Sequence, residues 1–184
     1  MEIYESSPYR VAPPCPYFGP CTGCEWQHID YTHQLTLKRE IVAKPFADIP
    51  ELANLKILDV IPSEQTYGYR NHARFTVGPQ GKLGFINRTT RSFVAVDECR
   101  IMAPGINSTL QKLQGHCGET SQVAIRLGVN TGETLIQPPL LSSGIPIATG
   151  QAYYRESIAG MPFRIGSPSF FQVNTPQIQV MVEH

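Results

Sequence analysis

The clearest pattern of apolar and polar positions along the chain alternates with a period of two between residues 70 and 77. Ala73, Phe75 and Val77 fall on one face of this segment. The residues of the other face are basic, namely Arg70, His72 and Arg74. Because successive side chains of a β-strand point to opposite sides, the pattern predicts a half-buried strand with one basic face.

Further short segments predict an antiparallel sheet around this strand. The turn sequence GPQG at 78–81 leads into a return strand at 82–88, and a third strand follows at 92–96. A second hairpin is predicted from 122–129 and 134–137, which are separated by the turn sequence NTGE. Residues 55–62 and the stretch 152–166 are also predicted to form strands.

Three segments predict helices. Asp30 is a suitable N-cap for a helix over 31–46, and PGINSTLQKLQG predicts another over 104–115. Asn174 or Thr175 can cap a third over 174–184, with Pro176 in its first turn. This last helix carries no C-terminal signal, so we expect the polypeptide to have continued. The predicted fold class is α+β, a mainly antiparallel sheet with a few helices and an N-terminal cysteine-rich loop.

The distribution of charged residues along the chain says more about a possible nucleic-acid partner than the net charge does. Fifteen basic and fifteen acidic residues give a net charge of zero, which argues mildly against nucleic acid as a partner. Between Gln65 and Val96, however, there is no Asp or Glu. Five basic residues fall in that interval, namely Arg70, Arg74, Lys82, Arg88 and Arg91. The basic strand face and its neighbours are predicted either to contact RNA phosphates or to be the solvated side of a sheet.

The sequence contains no long apolar run and no secretory signal. We therefore predict no membrane span and no membrane partner, and a reducing, cytoplasmic location. Disulfides are consequently not the expected use of the cysteines.

Three of the five cysteines, Cys15, Cys21 and Cys24, are spaced C-x5-C-x2-C in a loop rich in Pro and Gly. Such a loop lets the backbone wrap around a soft metal, and Cys99 directly after a predicted strand is the candidate fourth ligand. Four cysteines in a clustered trio plus one remote residue favour an iron–sulfur cluster, while structural zinc stays an alternative. Cys117 lies apart and is predicted to be a bystander.

Four segments, in order, give the chain a family resemblance from about residue 15 onward. CPYFGPCTGCEWQHIDYTHQLTLKRE (15–40) resembles the cluster-binding segment of bacterial RNA uracil-5-methyltransferases. GYRNHARFTV (68–77) resembles the family's Tyr-Arg-Asn…Arg-Phe strand, and DECRIM (97–102) its fourth-cysteine region. PSFFQVNTPQ (168–177) is similar to the family's Phe-x-Gln-x-Asn segment.

The resemblance implies an enzyme that transfers a methyl group from S-adenosylmethionine to carbon 5 of a uridine. It implies a 4Fe-4S cluster on Cys15, Cys21, Cys24 and Cys99. It also implies that Phe170 stacks on the target base, that Gln172 lies where cofactor and uridine meet, and that Asn174 belongs to the same pocket. The expected partner is RNA, 23S rRNA in preference to tRNA, and the expected state is a monomer.

The chain differs from the family because it lacks the residues that carry out methyl transfer. The family's nucleophilic Cys, its general base and its glycine-rich cofactor segment have no counterpart among these 184 residues. We therefore expect three parts: a cluster loop at 1–29, a central RNA-facing domain at 30–167, and the start of a methyltransferase domain at 168–184. The fragment alone is expected to be inactive. The alternative is a stand-alone iron–sulfur or zinc-stapled RNA-binding module, or a ferredoxin-like carrier.

Overall fold

The computed structural model describes residues 4–52 and 54–184. The chain divides into two compact units. Unit 1 comprises Met1–Phe18 and Cys24–Glu64, and unit 2 comprises Gly19–Gly23 and Gln65–His184. Three helices and a mainly antiparallel set of strands confirm the predicted α+β class.

The described residues of unit 1 include one helix, α1 (Tyr31–Ala47). Its N-cap is Asp30, as predicted, and the Asp30 carboxylate accepts a hydrogen bond from the backbone N–H of His33 at 3.2 Å. The preceding described residues, 4–29, form mainly turns, and Arg10 and Ile29 form an isolated antiparallel bridge. Gln34 braces this loop because its side-chain amide donates to the carbonyls of Trp26 and Ile29.

Unit 2 is built on a five-stranded antiparallel sheet in the order β3-β2-β1-β4-β5. The strands are β1 (His72–Val77), β2 (Leu83–Ile86), β3 (Phe93–Ala95), β4 (Gln122–Leu127) and β5 (Thr134–Gln137). A separate hairpin consists of β6 (Tyr153–Ile158) and β7 (Met161–Gly166). The helices of unit 2 are α2 (Pro104–Leu113) and α3 (Thr175–Glu183).

The apolar face of β1 lies in the core of unit 2. Ala73 and Phe75 are buried, and they pair with Ile125 and Val123 of β4, which are buried as well. Helix α2 contacts β4 and buries Ile106, Leu110 and Leu113. A second cluster joins Leu135 of β5 to Tyr154 and Ile165 of the β6–β7 hairpin, with Phe171 packed against it.

One sequence prediction about an element, the strand over 55–62, is wrong. Residues 54–62 form neither a helix nor a strand, and Leu55, Leu58 and Ile61 are exposed. Apolar content was the only signal there, and a strand also needs a partner for its backbone groups. Helix α1 ends one residue beyond the predicted 31–46, with Pro45 inside its last turn. A proline this close to a helix end removes few backbone bonds, so the helix tolerates it.

Candidate nucleic-acid interface

Two segments that are distant in sequence meet the backbone of unit 2 just before β1. The backbone N–H of Arg70 donates to the carbonyl of Ile101 at 2.8 Å, and that of Asn71 donates to Val173 at 2.8 Å. Arg70 thus forms bridges to Met102 on one side and Asn174 on the other. The start of β1 therefore brings together three of the segments that carry the family resemblance.

The basic face predicted for β1 is present. His72 and Arg74 share the face opposite Ala73 and Phe75, and Arg74 is exposed. Arg70 precedes the strand, and its Nε donates to the carbonyl of His72 at 3.0 Å. Sequence reasoning missed Arg126, which lies directly across from His72 on β4 and is buried. A charged residue inside the apolar stretch QVAIRLGV was the available signal.

His72 is neutral near pH 7 in this environment. Burial, together with the positive charges of Arg126, Arg70 and Arg74, lowers the pKa of His72 to about 4. Its Nε2 is buried without a hydrogen-bond partner among the described residues. The face therefore combines several permanent cations with one uncharged imidazole.

Arg88 and Arg91 are exposed in the turn between β2 and β3. Because β2 runs antiparallel to β1, this turn lies at the end of the sheet where β1 begins. The same turn holds the segment around Cys21 within unit 2. The Asn87 side chain donates to the carbonyl of Pro20 at 2.8 Å, and the Arg88 N–H donates to the Thr22 hydroxyl at 2.8 Å.

Two residues of the Phe-x-Gln-x-Asn segment are exposed, and the third caps a helix. Phe170 is 82% exposed and the Gln172 side chain is also exposed, so both are accessible to a ligand. Asn174 is instead the N-cap of α3, and its side-chain oxygen accepts from the N–H of Gln177 at 3.2 Å. That bond gives Asn174 a structural role in orienting the helix start.

The four candidate cluster ligands are all half-buried, and none forms a disulfide. Cys15 and Cys24 belong to unit 1, whereas Cys21 and Cys99 belong to unit 2. The Cys99 backbone is fixed by Asn107, whose side-chain amide exchanges hydrogen bonds with the Cys99 N–H and carbonyl. Across residues 4–52 and 54–184, no three His, Cys, Asp or Glu side chains are grouped so that they could hold a metal ion.

Cys117 has the environment of a structural thiol. It is fully buried, and its Sγ donates to the carbonyl of Leu113 at 3.4 Å. Burial, followed by the negative charge of Glu119, raises the pKa of Cys117 to about 11. A thiol in that state is not a nucleophile at neutral pH. This accords with the bystander role predicted for it.

Among the described residues, no helix combines the length and the apolar character needed to cross a membrane.

The chain matches no protein-family model. It is similar to curated RNA methyltransferases that carry no more specific name. It is 24% identical to one from Nostoc sp. over 237 residues, covering 99% of this chain and 52% of the relative. It is 26% identical to one from Thermosynechococcus vestitus over 234 residues, with coverage of 99% and 52%. One from Aquifex aeolicus is 31% identical over 113 residues, covering 61% of this chain and 26% of the relative.

A solved structure shares the fold. The tRNA (uracil-54, C5)-methyltransferase of Pyrococcus abyssi, in complex with S-adenosyl-L-homocysteine, superposes with a TM-score of 0.71 at 21% identity. The match covers 99% of this chain and 52% of that one. The relatives confirm the predicted resemblance to RNA methyltransferases, and the solved structure shows the fold. The chain spans about half the length of the curated relatives it matches.

Proposed function

We propose that the chain is the central region of an S-adenosylmethionine-dependent RNA uracil-5-methyltransferase, and that unit 2 forms its surface for RNA and uridine. The observation that carries the proposal is the convergence at the start of β1. Basic side chains and the exposed Phe170 and Gln172 belong to segments that hydrogen-bond to one another there. The sequence relatives and the structural neighbour support the same assignment.

Each part of this surface suits one feature of RNA. The guanidinium groups of Arg70, Arg74, Arg88 and Arg91 are suited to phosphates, which supply most of the affinity of such complexes. A uridine must leave its stack before carbon 5 can be reached, and the exposed ring of Phe170 can replace part of the lost stacking. His72, being neutral, adds no charge to this surface.

The proposed division of labour leaves the bond-making steps to other residues of the whole enzyme. S-adenosylmethionine supplies the methyl group, and Gln172 is proposed to lie where the cofactor and the uridine meet. Its amide both donates and accepts, so it can bind two partners at once. The nucleophile and the base are assigned to no residue of these 184. Methyl incorporation by the 184-residue chain alone would contradict this division.

The proposed substrate is ribosomal RNA, specifically 23S rRNA, and the proposed state is a monomer. The name of the structural neighbour favours tRNA as the alternative. Binding of equimolar 23S rRNA fragments and tRNA transcripts to the chain separates the two substrates. Sedimentation velocity of the free chain tests the monomer.

A 4Fe-4S cluster on Cys15, Cys21, Cys24 and Cys99 is also proposed. Four thiolates are the donor set that such a cluster requires, and their spacing supports it. The arrangement of the described side chains does not by itself gather them into a metal site. Iron and acid-labile sulfide analysis with Mössbauer spectroscopy of anaerobically purified chain tests the proposal. Bound zinc, or no metal, would overturn it.

RNA binding is tested by the salt dependence of affinity. Arg74→Gln and Arg88→Gln should each weaken binding to a uridine-containing RNA stem–loop and reduce the slope of log K against log salt by about 1 or slightly less. Lys112→Gln is the matched control, because Lys112 lies on α2, which packs against the opposite face of the sheet. Equal effects of all three changes, or binding insensitive to salt, would favour the cluster-bearing carrier instead.

A further inference from the structure

Four polar side chains in unit 2 are buried at the segment 169–175, three from other segments and one, Thr175, from the segment itself. The relative exposures are 1% for Asn71, 9% for Arg126, 1% for Glu156 and 3% for Thr175. Burying polar groups costs free energy unless each finds a hydrogen-bond partner. Their partners therefore show what these side chains are there to hold.

Asn71 and Arg126 hold the backbone of this segment at several points. The Asn71 side-chain amide donates to the carbonyl of Gln172 at 3.0 Å and to the hydroxyl of Thr175 at 2.8 Å. Its backbone N–H donates to the carbonyl of Val173. Arg126 fixes the other end, because its Nη1 donates to the carbonyl of Ser169 at 2.6 Å.

The hydroxyl of Thr175 continues the chain of hydrogen bonds to Glu156. Oγ1 of Thr175 donates to Oε2 of Glu156 at 3.2 Å and uses a lone pair for the amide of Asn71. The Glu156 carboxylate also accepts from the N–H groups of Val129, Asn130 and Ser157. In the series Asn71–Thr175–Glu156 each residue thus donates a hydrogen bond to the next. The series ends at the Glu156 carboxylate, which accepts several hydrogen bonds.

The same contacts leave the side chains of Phe170 and Gln172 accessible. The bonds from Arg126 and Asn71 fix carbonyls on either side of Phe170, whose ring remains 82% exposed. Gln172 is held through its backbone carbonyl, so its side-chain amide stays available. A rigid backbone with free side chains is what a preorganised binding segment requires, because less entropy is lost when a ligand binds.

We infer that the Asn71–Thr175–Glu156 relay, with Arg126, is a positioning device that holds Phe170 and Gln172 ready for a uridine. The inference rests on the proposed function, in which those two side chains contact RNA. None of the four buried residues touches the base. They act through the backbone of the segment that does.

The test compares Thr175→Val with Thr175→Ser in the full chain. Valine keeps the shape of threonine but removes the hydroxyl, whereas serine keeps the hydroxyl. We expect Thr175→Val to speed hydrogen exchange of amides in 168–174 about tenfold and to weaken binding of a uridine-containing stem–loop about five- to tenfold. Thr175→Ser should stay within about twofold of wild type in both measurements.

Asn71→Ala is the second variant, to be used if Thr175→Val fails to fold. It removes the side-chain bonds of Asn71 but keeps the backbone bond to Val173. If the relay acts as one unit, the double variant Asn71→Ala with Thr175→Val should bind RNA about as strongly as whichever single variant has the lower affinity. Unchanged exchange in 168–174 in both single variants would overturn the inference. Faster exchange with unchanged RNA affinity would overturn it too, provided that Phe170→Ala weakens binding.

Phe170→Ala separates this inference from the proposed function. If that change leaves RNA affinity unaltered, the uridine-binding role of the segment fails. The exchange measurements then still decide whether the relay orders the backbone. Faster exchange in Thr175→Val with wild-type exchange in Thr175→Ser would then show that the relay orders the backbone, although the uridine-binding role has failed.

Discussion

The helices of the two units differ in what they bury. None of the 17 residues of α1 in unit 1 is buried. Even its apolar residues Ile41 and Val42 are 60% and 52% exposed. In unit 2, α2 has only 10 residues and buries Ile106, Thr109, Leu110 and Leu113. Most helical stability in proteins comes from packing an apolar face rather than from intrinsic propensity.

The difference indicates that the two units are stabilised in different ways. Unit 2 has a sheet with a helix against one face, which is a sufficient arrangement for a hydrophobic core. Within the described part of unit 1, order depends on hydrogen bonds such as those of Gln34 and on stacking of Tyr9 with His33 at 3.8 Å. A metal that ties the cysteine loop would supply what packing does not.

The largest predicted effect tests the core of unit 2. Phe75 is fully buried and lies 5.1 Å from the ring of Phe85, so Phe75→Ala should lower the free energy of unfolding by about 3–5 kcal/mol. The matched change in unit 1, Ile41→Ala, should stay within about 0.5 kcal/mol, since Ile41 is exposed. Urea unfolding followed by circular dichroism measures both. Similar losses for the two variants would remove the contrast between the units.

The second prediction concerns the proposed cluster. In chain purified anaerobically, Cys24→Ala should lower the folded yield, abolish visible absorbance and speed amide exchange in α1 by about tenfold or more, equivalent to about 1.4 kcal/mol. Exchange in β1 and β4 should change less, because their core packs within unit 2. Cys117→Ser is the control, since Cys117 is buried, hydrogen-bonds to the carbonyl of Leu113 and is not one of the proposed ligands. A cluster-free variant with full protection of α1 would show that unit 1 needs no metal.

Local patterns were sufficient to predict most of the elements. The period-two segment at 70–77 became β1, and the Gly- and Asn-containing turns correctly separated β1 from β2 and β4 from β5. Asp30 and Asn174 each cap the helix that they were expected to begin. The segment 55–62 failed because strand formation depends on a partner, which no local pattern reveals.

The candidate site was predictable in its parts but not in its assembly. Arg70, His72 and Arg74 follow from alternation, and Phe170 and Gln172 from the family resemblance. The meeting of residues 70–71 with 101–102 and 172–174 could not be inferred, because long-range pairing is invisible in one sequence. For the same reason no local pattern indicates Glu156, and Thr175 is indicated only as a possible helix cap: their shared role is a buried hydrogen bond between distant positions.

A smaller effect is expected at the start of α1, where local bonds matter more because no residue of the helix is fully buried. Asp30→Ala removes the acceptor for the N–H of His33 and should cost about 1 kcal/mol. Asp30→Asn is the matched control, since asparagine caps helices about as well as aspartate. Amide exchange at 31–35 reports the change directly. An unaltered exchange rate in Asp30→Ala would mean that something other than the cap holds the first turn of unit 1.

The smallest predicted effect lies at His72, where unit 2 contains a buried imidazole nitrogen without a partner among the described residues. The folded-state pKa of His72 is about 4, against about 6.5 in an unfolded chain, because of burial and then the charges of Arg126, Arg70 and Arg74. Between these values the unfolded state binds the proton and the folded state does not. Stability therefore falls as the pH drops from about 6.5 towards 4, and the contribution of this group stays constant above and below that window.

His72→Gln isolates this contribution from that of the carboxylates, which titrate in both proteins. The difference in unfolding free energy between wild type and His72→Gln should shift steadily against wild type from pH 7 to pH 4.5, as measured by guanidinium unfolding. Because the imidazole is partly exposed to solvent, screening keeps the shift small. Parallel pH profiles would mean that His72 is protonated without cost. The basic face would then accept one more positive charge. In that case the protonation of His72 would be the same as on an ordinary solvated surface.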